Sequence, residues 1–217
     1  MNTTAPWMPA GTVYGTLLNF RREHALWAPR MTELPYKAPP NAPVLYVKTA
    51  NTFTPAGQAI ALPAGAPVEV AASVGLVMSD DGEWGAVLFN DVAIAHQSYY
   101  RPPVKTRCVD GFLGVGPTRV PLAQLGGLAG LAELQIELHI NGVHRQTTLL
   151  AEMLRNAATL LADVNEFMTL RAGDVLMLGS DCLADGTRPL VHAGDTVEIT
   201  APGFAPTRHN FVKEGTA

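Results

Sequence analysis

Apolar positions along the chain recur in two periods. Val44-Leu45-Tyr46-Val47-Lys48, bounded by Pro43 and by Ala50-Asn51, is a short β-prone run and predicts a strand. Val68 to Met78 is a second such run, and Ala86-Val87-Leu88-Phe89 a third that ends at Asn90-Asp91. From Glu133 to Ile140 the alternation places Leu134, Ile136, Leu138 and Ile140 on one face. Asn141-Gly142 follows, and both residues tolerate the positive φ of a type I′ hairpin, so a return strand is expected over Val143 to Gln146. The period then changes. From Leu149 to Met168, Leu150, Met153, Leu154, Ala157, Leu161, Val164 and Met168 fall three or four apart and predict one prominent helix over about 148–168. The hydroxyl of Thr147 or Thr148 is placed to cap its first turn.

Glycine (20) and proline (17) punctuate the chain at short intervals, which favours many short strands joined by turns. Arg171-Ala172-Gly173-Asp174-Val175 and His192-Ala193-Gly194-Asp195-Thr196-Val197 rhyme, each a Gly-Asp turn that launches an apolar strand. The rhyme fits either repeated turn chemistry or a motif. No linker, low-complexity tract or charge block divides the 217 residues, so one domain over 1–217 is expected, with 1–42 as an irregular lead-in.

Composition narrows the function classes. The chain is 47% hydrophobic and 16% charged, which suits a packed core. Its formal net charge of −4 offers no overall attraction for nucleic acid or anionic lipid. Met1 to Gly11 has neither the basic nor the apolar region of a secretory leader, and no apolar run approaches the roughly 20 residues of a membrane span. These features predict a cytoplasmic protein without nucleic-acid or membrane partners. Cys108 and Cys182 read as packing residues rather than as a disulfide framework.

Motifs for phosphate binding, serine nucleophiles and paired-cysteine zinc sites are missing. Leu125-Gly126-Gly127-Leu128-Ala129-Gly130 lacks the Lys-Ser/Thr of a phosphate loop. Asp91, at the end of an apolar strand, is a carboxylate of the type that hard cations such as Mg²⁺ prefer, although one carboxylate is not a metal site. Lys48 sits inside an otherwise apolar strand, where it either snorkels to the surface or enters a polar pocket.

Taken in order, several blocks resemble the fumarylacetoacetate hydrolase family. They are Gly11 to Phe20, Pro43 to Asn51, Gly85 to Asp91, Phe167 to Gly179 and His192 to Ile199. Leu34-Pro35-Tyr36-Lys37-Ala38-Pro39-Pro40, Tyr99-Tyr100-Arg101-Pro102 and Cys108-Val109-Asp110-Gly111-Phe112 resemble one branch of it, the isomerase/decarboxylases of homoprotocatechuate (4-hydroxyphenylacetate) catabolism. The resemblance implies a β-rich α+β fold, a mixed β-roll with one prominent helix. It implies decarboxylation of 5-oxopent-3-ene-1,2,5-tricarboxylate and isomerisation of 2-hydroxyhepta-2,4-diene-1,7-dioate, through an enolate stabilised by Mg²⁺ or Mn²⁺. It also implies a homodimer or a hetero-oligomer with a homologous subunit, acting on a small dicarboxylate or tricarboxylate.

Carried over residue by residue, the resemblance assigns Lys48, Arg107 and Glu23 to catalysis. Arg101, Asn19 and Ser180 fall to substrate binding, and Asp91 and Glu69 to the metal. The departures are as informative. The family's Glu-x-Glu metal pair falls on Ala71 and Ser73 in one register and on Glu69 and Ala71 in the other, so at least one carboxylate is missing in either. The family's acid/base histidine falls on Glu23, with His24 adjacent, and its lysine falls on Arg107, which does not give up its proton near neutral pH. Two readings follow: an isomerase/decarboxylase using a pocket around Lys48, Asp91 and Arg107, or a non-catalytic subunit or dicarboxylate-binding module supporting a homologous catalytic partner.

Overall fold

The computed structural model describes residues 6–96, 98–99 and 103–215. Among these, two sheets account for the strands. The larger has nine, ordered β2 (Val44–Lys48), β1 (Val13–Leu17), β11 (Val175–Met177), β5 (Val68–Met78), β6 (Trp84–Ile94), β7 (Leu113–Val115) and β3 (Phe53–Pro55). Two short strands extend it, β12 (Leu190–Val191) on β5 and β8 (Val120–Pro121) on β6. The smaller has the order β10 (Val143–Leu149), β9 (Gln135–Ile140), β13 (Thr196–Thr200), β14 (Thr207–Lys213) and β4 (Ala59–Leu62). The helices are α1 (Arg21–Met31), α2 (Val104–Arg107), α3 (Gly127–Gly130) and α4 (Ala157–Asn165). The architecture is the β-rich, mixed α+β fold expected from the sequence.

β5 and β6 form the spine, pairing antiparallel from Val68↔Ile94 to Met78↔Trp84. Both are buried almost throughout, which explains why each reads as a continuous apolar run rather than an alternating one. Their even-numbered positions, Val70, Val74, Leu76, Leu88 and Val92, pack against Ile136, Leu138, Ile199 and Phe211 of the small sheet. The odd-numbered Val77, Val87 and Phe89 join a second cluster with Val13, Leu113 and Val175 on the opposite face. Glu69, Ala71 and Ser73 share that face with Asp91, because side chains alternate along a strand and Ala71 lies directly across from Asp91.

The Asn141-Gly142 hairpin forms as expected, with φ of 54° and 76° at its two residues. Its return strand runs to Leu149, beyond Gln146, because Thr147, Thr148 and Leu149 continue to pair with β9. That pairing also shortens the predicted helix. Residues 148–168 divide into the end of β10, a 3-10 turn at Leu150–Glu152 and the nine-residue α4. Thr147 and Thr148 lie in the strand, and the cap is Asn156, whose Oδ1 accepts from Thr159 N at 2.9 Å. Of the predicted apolar stripe, Leu150, Met153, Ala157 and Val164 are buried, whereas Leu154 is exposed and Leu161 only half-buried, its place in the core being taken by Leu160.

Residues 1–42, expected as an irregular lead-in, contain β1 and α1. The turn between them places Leu18 at φ 57°, and Glu23 Oε2 accepts the Leu18 N–H at 3.2 Å. The two Gly-Asp segments carry the same turn chemistry. Asp174 accepts from Arg171 N and Asp195 from His192 N, each at 2.8 Å and three residues back.

Candidate functional site

The site begins with Lys48, the last residue of β2 and 1% exposed. Its three N–H bonds run to the carbonyls of Val92 (2.7 Å), Arg107 (2.8 Å) and Phe112 (2.7 Å), and Asp91 Oδ1 lies 2.8 Å from the same Nζ. Lys48 therefore enters a polar pocket and ties β2, β6 and the segment after α2 together. Burial lowers its pKa, opposed by the Asp91 charge.

Asp91 is held from its other oxygen as well. Arg107 Nη1 donates to Oδ2 at 2.7 Å, and the Tyr46 hydroxyl donates to the same oxygen. The guanidinium lies over the Tyr46 ring, 4.5 Å from its centroid. Gly15 is what lets that ring cross β1, since a Cβ there would stand 2.1 Å from it. Burial on its own would raise the Asp91 carboxyl, but Lys48, Arg107 and the hydrogen bonds outweigh it and hold the pKa at about 2.

A second ion pair joins α1 to the approach to β12. Arg188 Nη2 lies 2.5 Å from Glu23 Oε1, which also accepts from the Tyr99 hydroxyl at 2.7 Å. Glu23, assigned to acid/base work from the sequence, is thus a buried carboxylate with every oxygen occupied. Its partners Arg188 and Tyr99, and Tyr46 beside Asp91, were missed by the sequence reading. Tyr46 carried a signal, standing two residues before Lys48 on the same strand face. Arg188, after a loop, carried none.

Glu69 differs from both. It is 8% exposed, and neither a cation within 4 Å nor a hydrogen-bond donor contacts it among the described residues. Burial raises its pKa, countered by Arg188 and then Arg107. Its carboxylate lines a cavity of about 580 Å³ with Arg188, His96, Tyr99, Trp27 and Arg30.

The other predicted residues are dispersed. Asn19 spends its amide on the backbone, Nδ2 donating to the carbonyls of Arg155 and Leu178 (3.1 Å each) and Oδ1 accepting from Arg155 N at 3.0 Å. Ser180 is buried just after Gly179, whose carbonyl accepts from Ser73 Oγ at 2.8 Å. Arg101 lies outside the described residues. The structure therefore brings Lys48, Arg107 and Asp91 into contact, places Glu69 and Glu23 within electrostatic reach, and leaves Asn19 in a structural role.

A divalent cation does not fit these residues. Ala71 stands opposite Asp91 where a second carboxylate would be needed, and Ser73 follows on the same face. Both Asp91 oxygens already face cations. No group of three or more His, Cys, Asp or Glu among the described residues could hold a metal ion.

The model of the fumarylacetoacetate (FAA) hydrolase C-terminal domain matches residues 12–212. The chain belongs to the fumarylacetoacetate hydrolase family. It is 34% identical over 215 residues to the 4-hydroxyphenylacetate degradation bifunctional isomerase/decarboxylase of Escherichia coli, an alignment covering 94% of this chain and 48% of that protein. The chain thus spans about half the length of that relative. Solved structures share the fold. One is the 2-hydroxyhepta-2,4-diene-1,7-dioate isomerase of Mycobacterium marinum, with TM-score 0.76, 22% identity, and coverage of 98% of this chain and 78% of that one. Another is the fumarylpyruvate hydrolase of Pseudomonas aeruginosa in complex with Mn²⁺ and pyruvate, with TM-score 0.74, 19% identity and 99% coverage of both chains.

Proposed function

We propose that the chain is a subunit of the 4-hydroxyphenylacetate (homoprotocatechuate) catabolic enzyme that decarboxylates 5-oxopent-3-ene-1,2,5-tricarboxylate and isomerises 2-hydroxyhepta-2,4-diene-1,7-dioate. In this reading the metal-dependent chemistry resides in a homologous partner subunit, and this chain contributes fold, interface and a carboxylate pocket in the cytoplasm. The observation that carries the reading is the clasp on Asp91. A developing enolate needs positive charge aimed at it, yet Lys48 and Arg107 direct theirs at a resident carboxylate. Lys48 would have to surrender a carbonyl hydrogen bond to serve as a base, and a guanidinium stays protonated near neutral pH.

The test follows the ultraviolet absorbance of 2-hydroxyhepta-2,4-diene-1,7-dioate with the purified chain, with and without Mg²⁺ or Mn²⁺. The expected rate is the uncatalysed background in every case, rising only when a homologous subunit with a complete metal site is added. Metal-dependent turnover by the chain alone, abolished by Asp91→Asn, would overturn the reading.

A further inference from the structure

Asn141-Gly142 closes the β9–β10 hairpin, and Asn141 is the one asparagine of nine in the chain that precedes a glycine. Such a pair is chemically labile, because glycine has no side chain to hinder its own amide nitrogen as a nucleophile. Both residues are exposed, and a Cβ built on Gly142 would meet no atom within 4 Å, so nothing shields the turn on that side. The Gly142 nitrogen can attack Asn141 Cγ, lose its proton to solvent and expel Nδ2 as ammonia, which leaves a succinimide ring. Water then opens the ring at either carbonyl to give aspartate or isoaspartate. The net change is uptake of water and release of ammonia, with no redox step.

The fold holds this chemistry back. Asn141 Nδ2 donates to Asp195 Oδ1 at 2.7 Å, and Asn141 Oδ1 accepts from Thr196 N at 2.9 Å. The Asn141 backbone N–H donates to the Thr196 carbonyl, also at 2.9 Å. These partners fix which way the amide points, since a carboxylate takes only a donor and a backbone N–H only an acceptor. Asp195 Oδ2 in turn accepts from His192 N at 2.8 Å. Burial would raise the Asp195 carboxyl, but the bonds from His192 N and Asn141 hold it below its ordinary value, so the acceptor is charged. The succinimide forms only when the Asn141 amide leaves Asp195 and swings toward the Gly142 nitrogen.

We propose that Asn141 is a self-modification site guarded by Asp195, and that its conversion to aspartate releases the hairpin tip from the turn that opens β13. The product carries an oxygen where Nδ2 stands, 2.7 Å from Asp195 Oδ1, so a donor–acceptor pair becomes two like charges. Isoaspartate lengthens the main chain by a methylene and breaks the two-residue turn as well. Neither product returns to the amide, which makes the release one-way. Ile140, Asn141, His192 and Asp195 border a groove of about 520 Å³, and the modification adds a negative charge to its rim.

The test incubates the full chain, Asp195→Ala and Asp195→Asn at mildly alkaline pH and follows every asparagine by peptide mass mapping. Modification at Asn141 is expected about tenfold faster in Asp195→Ala than in the unsubstituted chain, the factor set by one hydrogen bond to a charged acceptor. Asp195→Asn keeps an acceptor oxygen without the charge and is expected to fall between the two. It decides the matter if the alanine variant loosens the whole fold and speeds several asparagines together. Asn141→Asp is expected to lower the urea midpoint. The exchanged pair Asn141→Asp, Asp195→Asn is expected to restore it, because the new amide donates to the new carboxylate and its oxygen still accepts from His192 N. Asn141 rates in Asp195→Asn no faster than in the unsubstituted chain overturn the proposal. So does an Asn141→Asp midpoint equal to the unsubstituted chain's, or one that the exchange fails to restore.

Discussion

Arg107 Nη1 stands 2.7 Å from Asp91 Oδ2, inside a protein layer that leaves the two side chains 3% and 4% exposed. With Lys48 Nζ 2.8 Å from Oδ1, one carboxylate answers to two cations. The arrangement makes Asp91, which the resemblance assigned to the metal, the centre of a structural clasp linking β2, β6 and α2. It also explains how the chain tolerates Ala71 across from Asp91, since the positive charge is covalently supplied.

The clasp is expected to matter for stability. Asp91→Asn leaves two buried cations without a counter-charge, and breaking such a pair costs about 3–5 kcal/mol. The urea midpoint should fall accordingly with an unchanged slope. A midpoint within error of the unsubstituted chain would show that the cluster is not the tie described.

Acid should unfold the chain in two separable steps. Burial holds the His209 imidazole down at about 4, whereas an unfolded histidine titrates near 6.5. The unfolded state therefore binds the extra proton first, and stability is lost as pH falls from ~6.5 toward 4. Asp91, at about 2 in the fold against its ordinary 3.8, contributes stability that is lost only as pH falls from 3.8 toward 2. Unfolding free energies measured across pH 2–7 should lose their upper limb in His209→Gln and their lower limb in Asp91→Asn.

Glu69 carries the opposite sign. Its pKa is raised by burial, so the fold favours the protonated form and stability falls as pH rises above the ordinary glutamate value of 4.5. Glu69→Leu should raise the melting temperature at pH 7, a gain of about 1 kcal/mol corresponding to ~2–4 °C at this chain length. No change, or a fall, would mean that Glu69 has a partner in solution.

Gly15 is expected to be irreplaceable for a steric reason. A Cβ there would stand 2.1 Å from the Tyr46 ring, pushing the hydroxyl away from Asp91. Gly15→Ala should cost roughly 1–3 kcal/mol, the usual range for overpacking a core. It should also shift the Tyr46 near-ultraviolet circular dichroism signal, which would stay unchanged if the ring does not depend on that gap.

Much of the fold was legible in the residues. Alternation placed Ile136, Leu138 and Ile140 in the core, and Asn141-Gly142 marked its hairpin, because period and turn chemistry are local properties. The helix over 148–168 was over-extended because Leu150 and Met153 are buried by strand and turn contacts that happen to share helical spacing. The cluster of Lys48, Asp91 and Arg107 was anticipated from the family resemblance, and only Lys48 and Asp91 stood out by themselves, in or at the end of an apolar strand. Glu23 was not readable in the same way. Its partners Tyr99 and Arg188 lie 76 and 165 residues away, and pairing over such separations is set by topology rather than by local pattern.

Lys48 and Arg107 put side-chain charge on Asp91, the carboxylate that the resemblance assigned to a metal ion. Calorimetric titration of the purified chain with Mn²⁺ or Mg²⁺, in the presence of oxalate, tests this arrangement most directly. No binding heat is expected up to millimolar metal, both for this chain and for Asp91→Asn. Micromolar binding that disappears in Asp91→Asn would contradict it, because Asp91 would then be a metal ligand rather than the anchor of Lys48 and Arg107.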